Sequence, residues 1–281
     1  MKRLRIEHAT GFAYQGDVSA SYNEARMLPS STDSQFVLSS ALDIEPSTSV
    51  NHYVDYFGTR VAAFDVLSPH ADLKITARSL VEVRPRPLEH IDLTWDRLGT
   101  EIGRSIETVE QLSQSHRTKP HPEVAEIARS IAGQHDHPGR AAHAIAATIG
   151  DAVEYMHGIT GVHSTASEAW EARKGVCQDM AHITLGALRE VGIPARYVSG
   201  YLHPKANADV GQAVAGESHA WIEWFAGDWQ GFDPTNNIEI GDRHVLVGRG
   251  RDYNDVPPLR GVYAGPFKGH LHVKVTITRE A

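Results

Sequence analysis

The sequence predicts an α+β fold: a β-sandwich-like N-terminal domain, then helices, then a core of helices packed on an antiparallel sheet. Three observations carry this. Short alternating or β-branched runs broken by turn signals fill residues 1–85. Apolar residues then recur at helical spacing, and from Ala195 the pattern returns to strands joined by a tight turn.

In order along the chain, Arg3-Leu4-Arg5-Ile6-Glu7-His8 alternates, and Phe36–Leu38 and Ala41–Ile44 read as strands before Pro46. His52–Phe57 ends at Gly58-Thr59, a turn, and Val61–Val66 returns from it. Leu73–Val83 has period two. Arg84-Pro85-Arg86-Pro87 reads as a linker, since alternating prolines offer few backbone donors and favour extended chain. Residues 86–120 are taken as linker and helix, with apolar positions 98, 102, 106, 109 and 112 on one helix. Residues 121–281 form the core. Helices are expected at Pro122–Ile131, Arg140–Met156 and Ser167–Arg173. From Cys177, residues Met180, Ile183, Ala187, Leu188 and Val191 share a helix face, and Gly192 and Pro194 stop that helix. Ala195–Tyr201 is a strand. Residues 202–216 read as a long polar loop, a candidate gate. Ala220–Phe225, the turn Gly227-Asp228 and Trp229–Phe232 make a hairpin, and Leu271–Ile277 is a last strand closing one of the sheets.

The composition narrows the function. With 281 residues, 41% of them hydrophobic, the chain can bury a core without metal or disulfide. A net charge of −8 and a pI near 6.1 give no basic footprint for nucleic acid. No apolar run reaches the roughly 18 residues of a membrane helix, and the N-terminus lacks a secretory apolar stretch. There is one cysteine, which fits a reducing compartment; a cytoplasmic location is the expectation.

That cysteine, Cys177, stands where a turn meets a helix in Gly175-Val176-Cys177-Gln178-Asp179. His219 follows in Ser218-His219-Ala220-Trp221, at the start of a strand, and Asp233 in Gly231-Phe232-Asp233-Pro234, at the end of the next. A thiol, an imidazole and a carboxylate are the three parts of a thiol acyl-transfer site. A helix N-terminus favours a thiolate. An imidazolium beside it stabilises the thiolate and later protonates a leaving amine. A carboxylate on the other ring nitrogen fixes tautomer and orientation. The backbone N–H of Cys177 is one oxyanion donor, with Gln178 a candidate for the second.

The segments Lys174–His182, Gly192–Tyr201, Ser218–Trp221 and Gly231–Asn236 closely resemble the bacterial transglutaminase-like family, thiol enzymes of the papain superfamily often described as cysteine proteases. Asn23–Pro29 and the Asp55–Val66 hairpin resemble the β-rich domain that precedes the core in that family. The resemblance implies a papain/transglutaminase-like core with the nucleophile at a helix N-terminus. It implies Cys177 as nucleophile, His219 as general base and acid, and Asp233 as the orienting carboxylate. Met180 departs from the family at a packing position where an aromatic is expected. By the same resemblance His182 is structural; Asp179, read from its place beside the nucleophile, is a capping or substrate-facing residue outside the triad.

Other groupings carry less. His135-Asp136-His137 and His270-Leu271-His272 each offer two imidazoles without a third ligand, and no loop of alternating carboxylates suits calcium. No metal and no cofactor are expected. No basic patch or phosphate loop suits coenzyme A. Trp221 and Trp229 are candidates to line an acyl pocket, with Trp224 on the opposite face of its strand. The expected activity is attack on a peptide or carboxamide carbonyl through an acyl-thioester. A peptidase or amidase is favoured. Transfer to an amine, as a transglutaminase, is the alternative, and a non-enzymatic peptide-binding module the second. The expected partner is a peptide or protein substrate, and homo-oligomer formation stays open.

Overall fold

The computed structural model describes residues 1–84, 93–158, 161 and 163–281. Pro85, Arg86 and Pro87 of the expected linker lie outside the described residues. Six strands open the chain: β1 (Lys2–Val18), β2 (Ala20–Ala25), β3 (Gln35–Glu45), β4 (Val50–Val54), β5 (Arg60–Val66) and β6 (His70–Val83). Four helices follow: α1 (Trp95–Ile102), α2 (Ile106–Glu110), α3 (Pro122–Ala132) and α4 (Pro138–Ala152). Next come β7 (Glu154–Tyr155), α5 (Ala166–Ala172), β8 (Lys174–Gly175), α6 (Cys177–Glu190), β9 (Ala195–Leu202), β10 (Ala213–Phe225) and β11 (Trp229–Asp233). The chain finishes with β12 (Ile238–Glu239), β13 (His244–Gly250), β14 (Leu259–Ala264) and β15 (Gly269–Arg279).

Two local expectations fail for local reasons. The single helix at 98–112 is two, because Gly103 ends α1 and the Ser105 hydroxyl accepts the Glu107 N–H at 3.2 Å to start α2. The helix through Met156 stops at Ala152, where β-branched Val153 is extended (φ −120, ψ 122). The two residues after it pair with β8 in parallel, Tyr155 opposite Gly175.

Most strands join one nine-stranded sheet in the order β12-β11-β10-β15-β1-β6-β3, with β9 on β10 and β13 on β9. A second sheet, β14-β2-β5-β4, covers the N-terminal part. Between the two sheets lie Val18, Met27, Phe64, Leu73 and Ile75. The alternation of β1 contributes, since Phe12 and Tyr14 on its inward face pack into this cluster. The last strand, β15, pairs along β1 from Tyr14↔Gly269 to Leu4↔Arg279, so the C-terminus completes the sheet that the N-terminus begins.

Helix α6 runs through the second core. Its Ile183 and Leu188 pack with Ile145, Ile149, Trp170, Tyr197 and Ile222, and most of its polar side chains are buried as well. Arg189 donates to the carbonyls of Gln111, Ala195 and Arg251, and Thr184 to that of Met180. Each fully buried large apolar side chain here contributes about 1.5–3 kcal/mol. A third cluster, including Leu4, Ile6, Tyr201, Val245 and Ile277, packs the sandwich against the core sheet. There the Tyr201 hydroxyl donates to the Met27 carbonyl at 3.1 Å, so His8 Nδ1–H donates to that hydroxyl at 3.0 Å. Among the described residues no helix is long and apolar enough to cross a membrane.

Candidate active site

Cys177 is half buried as the first residue of α6. The turn before it is set by Asp179, whose Oδ2 accepts the Val176 N–H at 2.8 Å. The Val176 carbonyl accepts the Asp179 and Met180 N–H groups at 2.9 and 3.1 Å. Gly175 lets the chain pass this close, since a Cβ there would stand 2.8 Å from the Asp179 Cβ. Asp179 is thus the cap, and Cys177 sits where unpaired N–H groups and the aligned dipole favour negative charge.

His219 is on β10, a 13-residue strand with changing neighbours. It pairs β15 from Ala213↔Thr278 to Gly216↔Val275, then β9 from Glu217↔Leu202 onward, and β11 from Ile222↔Phe232. His219 therefore lies mid-strand rather than at a strand start. Residues 213–216, which read as loop, are held by β15. Opposite His219 is Gly200, where a Cβ would meet the Trp221 ring at 2.5 Å and the Val245 carbonyl oxygen at 2.2 Å.

Asp233 ends β11 and is completely buried. His219 Nε2 donates to its Oδ2 at 2.7 Å, which leaves Nδ1 for the Cys177 thiol, a hydrogen-bond partner of the same ring. Asp233 Oδ2 also accepts from Asn236 Nδ2 at 2.8 Å, and Oδ1 accepts the Thr235 and Asn236 N–H groups at 3.0 and 3.2 Å. His244 adds a further donor. Its Nδ1 accepts the Gly241 N–H at 3.2 Å, so the proton of the neutral ring is on Nε2, which donates to Asp233 Oδ2 at 3.3 Å.

The electrostatics follow from these bonds. Burial opposes the charge on Asp233, but the donors from His219, His244 and Asn236 outweigh it and hold the carboxyl well below its usual range. Burial likewise opposes an imidazolium at His219. The bonds to Asp233 and Cys177 prevail and push its pKa up to about 10. Burial lowers that of His244 despite its bond to Asp233, so His244 stays neutral. His219, Asp233 and His244 are also a group of metal-type ligands, with ligand atoms within 4.8 Å of one another. Each is committed to the hydrogen bonds just given.

Cys177 and His219 open on a cleft of about 570 Å³ walled by Tyr155, Tyr197, Tyr253 and the segment Val273–Val275. Gln178 lines it as well. A hollow of about 390 Å³ reaches the other side of His219, past Leu202, Pro204 and Asn236. Glu217 borders both, and accepts the Tyr155 hydroxyl at 3.3 Å.

The tryptophans are elsewhere. Trp221 is buried with its ring edge-on to His244 at 5.3 Å, and Trp229 lies under the Arg196 guanidinium at 3.8 Å. Tyrosines line the cleft instead. His182 is wholly buried and accepts the Tyr253 N–H at 3.2 Å, and burial drives its pKa down to about 3. His244, Asn236 and Tyr155 escaped the sequence reading. Asn236 stood inside a quoted motif, whereas His244 and Tyr155 carry no local pattern and are brought in by β13 and by the β7–β8 pair.

Comparison with known proteins agrees with this architecture. Residues 4–82 match the bacterial transglutaminase-like N-terminal region and residues 125–234 the transglutaminase-like superfamily. An uncharacterised protein of Mycobacterium leprae is 42% identical over the full length of both chains. A protein-glutamine gamma-glutamyltransferase of Pseudomonas aeruginosa is 32% identical over 114 residues, 36% of this chain and 17% of that one. A crystal structure of a candidate cysteine protease from Cytophaga hutchinsonii has the same fold, with a TM-score of 0.73 at 19% identity, covering 99% of this chain and 98% of that one. The chain belongs to the transglutaminase-like superfamily, with the bacterial transglutaminase-like N-terminal region ahead of its core.

Proposed function

We propose that this protein is a cysteine-dependent amide hydrolase, a peptidase or amidase. The observation that carries the reading is His219, which bonds to buried Asp233 and shares one cleft with Cys177 at the start of α6. In the attacking pair the thiol proton has passed from Cys177 to His219 Nδ1. The thiolate attacks the amide carbonyl, and its oxyanion is received at the N-terminus of α6. His219 gives its Nδ1 proton to the departing nitrogen, the C–N bond breaks, and an acyl-thioester remains on Cys177. Water then attacks the thioester while His219 takes its proton, and the collapse releases a carboxylate and the Cys177 thiolate. Asp233 orients the ring throughout and stays ionised.

Transfer of the acyl group to an amine is the second reading. It is favoured by the hollow beyond His219, bordered by the Glu217 carboxylate, whose charge suits a protonated amine. The test is incubation of wild-type and Cys177→Ala protein with a glutamine-containing peptide library and a labelled primary amine, read by mass spectrometry. Cysteine-dependent cleavage or deamidation supports the hydrolase, and cysteine-dependent amine incorporation the transferase. Activity that survives Cys177→Ala refutes both.

A further inference from the structure

Strand β15 has a vacant lane beside it. On one side it pairs with β1 over its whole length. On the other, β10 accompanies it only as far as Gly216↔Val275 and then turns away to β9. Among the described residues no strand pairs with that second edge from Gly269 to Lys274.

The direction of the backbone groups on this edge follows from the ladder. In an antiparallel pair, successive residues alternate between facing one neighbour and the other. Gln15 N–H donates to the Lys268 carbonyl and Glu280 N–H to the Arg3 carbonyl, so even-numbered residues of β15 bond to β1. The Arg279 carbonyl accepts the Gly211 N–H on the β10 side, so odd-numbered residues face away from β1. The register does not slip between these points. The N–H and C=O of Leu271 and Val273 therefore point into the vacant lane.

The side chains agree. His270 to Lys274 are all exposed, with Leu271 58% and Val273 53% accessible. Leu271 and Val273 share the face on which Val275 and Ile277 are buried, so they are an apolar row without a cover. The lane is also continuous with the candidate active site, because Val273, Lys274 and Val275 wall the Cys177 cleft.

We propose that an extended polypeptide substrate adds to β15 as a strand along Gly269–Lys274, in the line that β10 vacates, and is thereby led to Cys177. Six residues of strand span about 20 Å. Recognition is through the main chain, with apolar side chains at alternate positions lying over Leu271 and Val273. The substrate class is then unfolded or extended polypeptide of tolerant sequence rather than a small amide. This rests on the reading of Cys177 as a nucleophile, and the experiment separates the two.

The probes are a nonapeptide of alternating valine and threonine with lysine at each end and a central chloroacetylated diaminopropionate, and the same central residue alone with capped ends. The readout is the ratio of their Cys177 labelling rates, by intact mass. The expected ratio is about tenfold or more in favour of the nonapeptide, the worth of a few main-chain hydrogen bonds. Leu271→Pro removes an N–H that faces the lane and spares the β1 ladder, so the ratio should fall to about one, while Leu271→Thr keeps the N–H and most of the ratio. If Leu271→Pro does not fold, a nonapeptide N-methylated at alternate residues, used on the wild-type chain, must lose the advantage in its place. Equal rates for the two probes in the wild type overturn the proposal, as does an advantage that survives both the proline and the methyl groups. A wild-type dimer that Leu271→Pro makes monomeric also overturns it, since the lane then belongs to a second copy. Labelling by neither probe overturns the nucleophile reading, and this inference with it.

Discussion

His219 and His244 donate to the same oxygen. Asp233 Oδ2 accepts Nε2 of the first at 2.7 Å and Nε2 of the second at 3.3 Å. The second bond has a direction fixed from outside the site, because the Gly241 N–H occupies Nδ1 of His244. A buried carboxylate is thus held in place by a neutral imidazole on one side while it orients a charged one on the other.

The first prediction concerns His244. His244→Ala leaves a buried carboxylate one donor short and should cost about 1–3 kcal/mol of stability, measured by urea unfolding. With less competition for Oδ2, the His219 pKa should rise further, seen by NMR titration of the ring. His244→Gln can restore a donor and should recover part of both effects. Unchanged stability and titration in His244→Ala would remove His244 from the account.

Asp233→Asn removes the charge that raises the His219 pKa. That pKa should fall from about 10 towards the ordinary 6.5, and activity on any identified substrate should drop by about a hundredfold or more. Titration of His219 in the variant checks the first, and kcat/KM the second.

The pH dependence of stability has two arms. The pKa of His219 is higher folded than unfolded, so its stabilising contribution is complete below pH 6.5 and is lost as pH rises towards about 10. Asp233 and Glu223 are the reverse. Burial opposes the charge of Glu223, but Arg249 and Arg196 outweigh it and take its pKa down to about 2. Its contribution is complete above 4.5 and is lost as pH falls through about 2, and that of Asp233 is lost below 3.8 in the same direction. Tm against pH should therefore fall on both sides of a plateau between about pH 4.5 and 6.5, and Glu223→Gln should flatten the acid arm.

Glu223 also predicts a stability effect at neutral pH. Its carboxylate receives Arg196 Nε at 2.6 Å and Arg249 through Nε and Nη2 at 2.8 and 3.0 Å, all in a part-buried setting. Glu223→Gln takes the shared anion from buried Arg196, which keeps Glu107, and from partly exposed Arg249, and should cost about 3 kcal/mol, read from denaturant midpoints. Glu223→Gln with Arg249→Met should recover part of that loss.

Much of the candidate site was legible because its motifs are local. A cysteine opening an apolar-faced helix, a glycine and a proline ending it, and a turn joining two strands are each decided within a few residues. The contact between His219 and Asp233 is the step beyond, since register is set by pairing and not by either strand alone. What stayed hidden depends on distant chain. His244 reaches Asp233 because β13 lies against β9. Residues 213–216, Ala-Val-Ala-Gly, are small and follow a polar stretch, and they become strand only against β15, whose partner is β1. Tyr155 looked helical by the alanine-rich pattern before it, and the pairing with Gly175 overrode that propensity. Trp221 and Trp229 were read as pocket walls because large aromatics suit either role. Both border a separate hollow of about 290 Å³ beside His244 and Arg196, and neither lines the Cys177 cleft.

The most direct test of the central claim is the rate of Cys177 alkylation by iodoacetamide from pH 5 to 9, in wild-type protein and in His219→Ala. A thiolate paired with the His219 imidazolium predicts rapid alkylation already at pH 6 in the wild type. In His219→Ala the rate at pH 6 should collapse and recover only as an ordinary thiol ionises near 8.5. A wild-type rate that is slow at pH 6 and follows that ordinary titration, or a fast rate indifferent to His219→Ala, would contradict it.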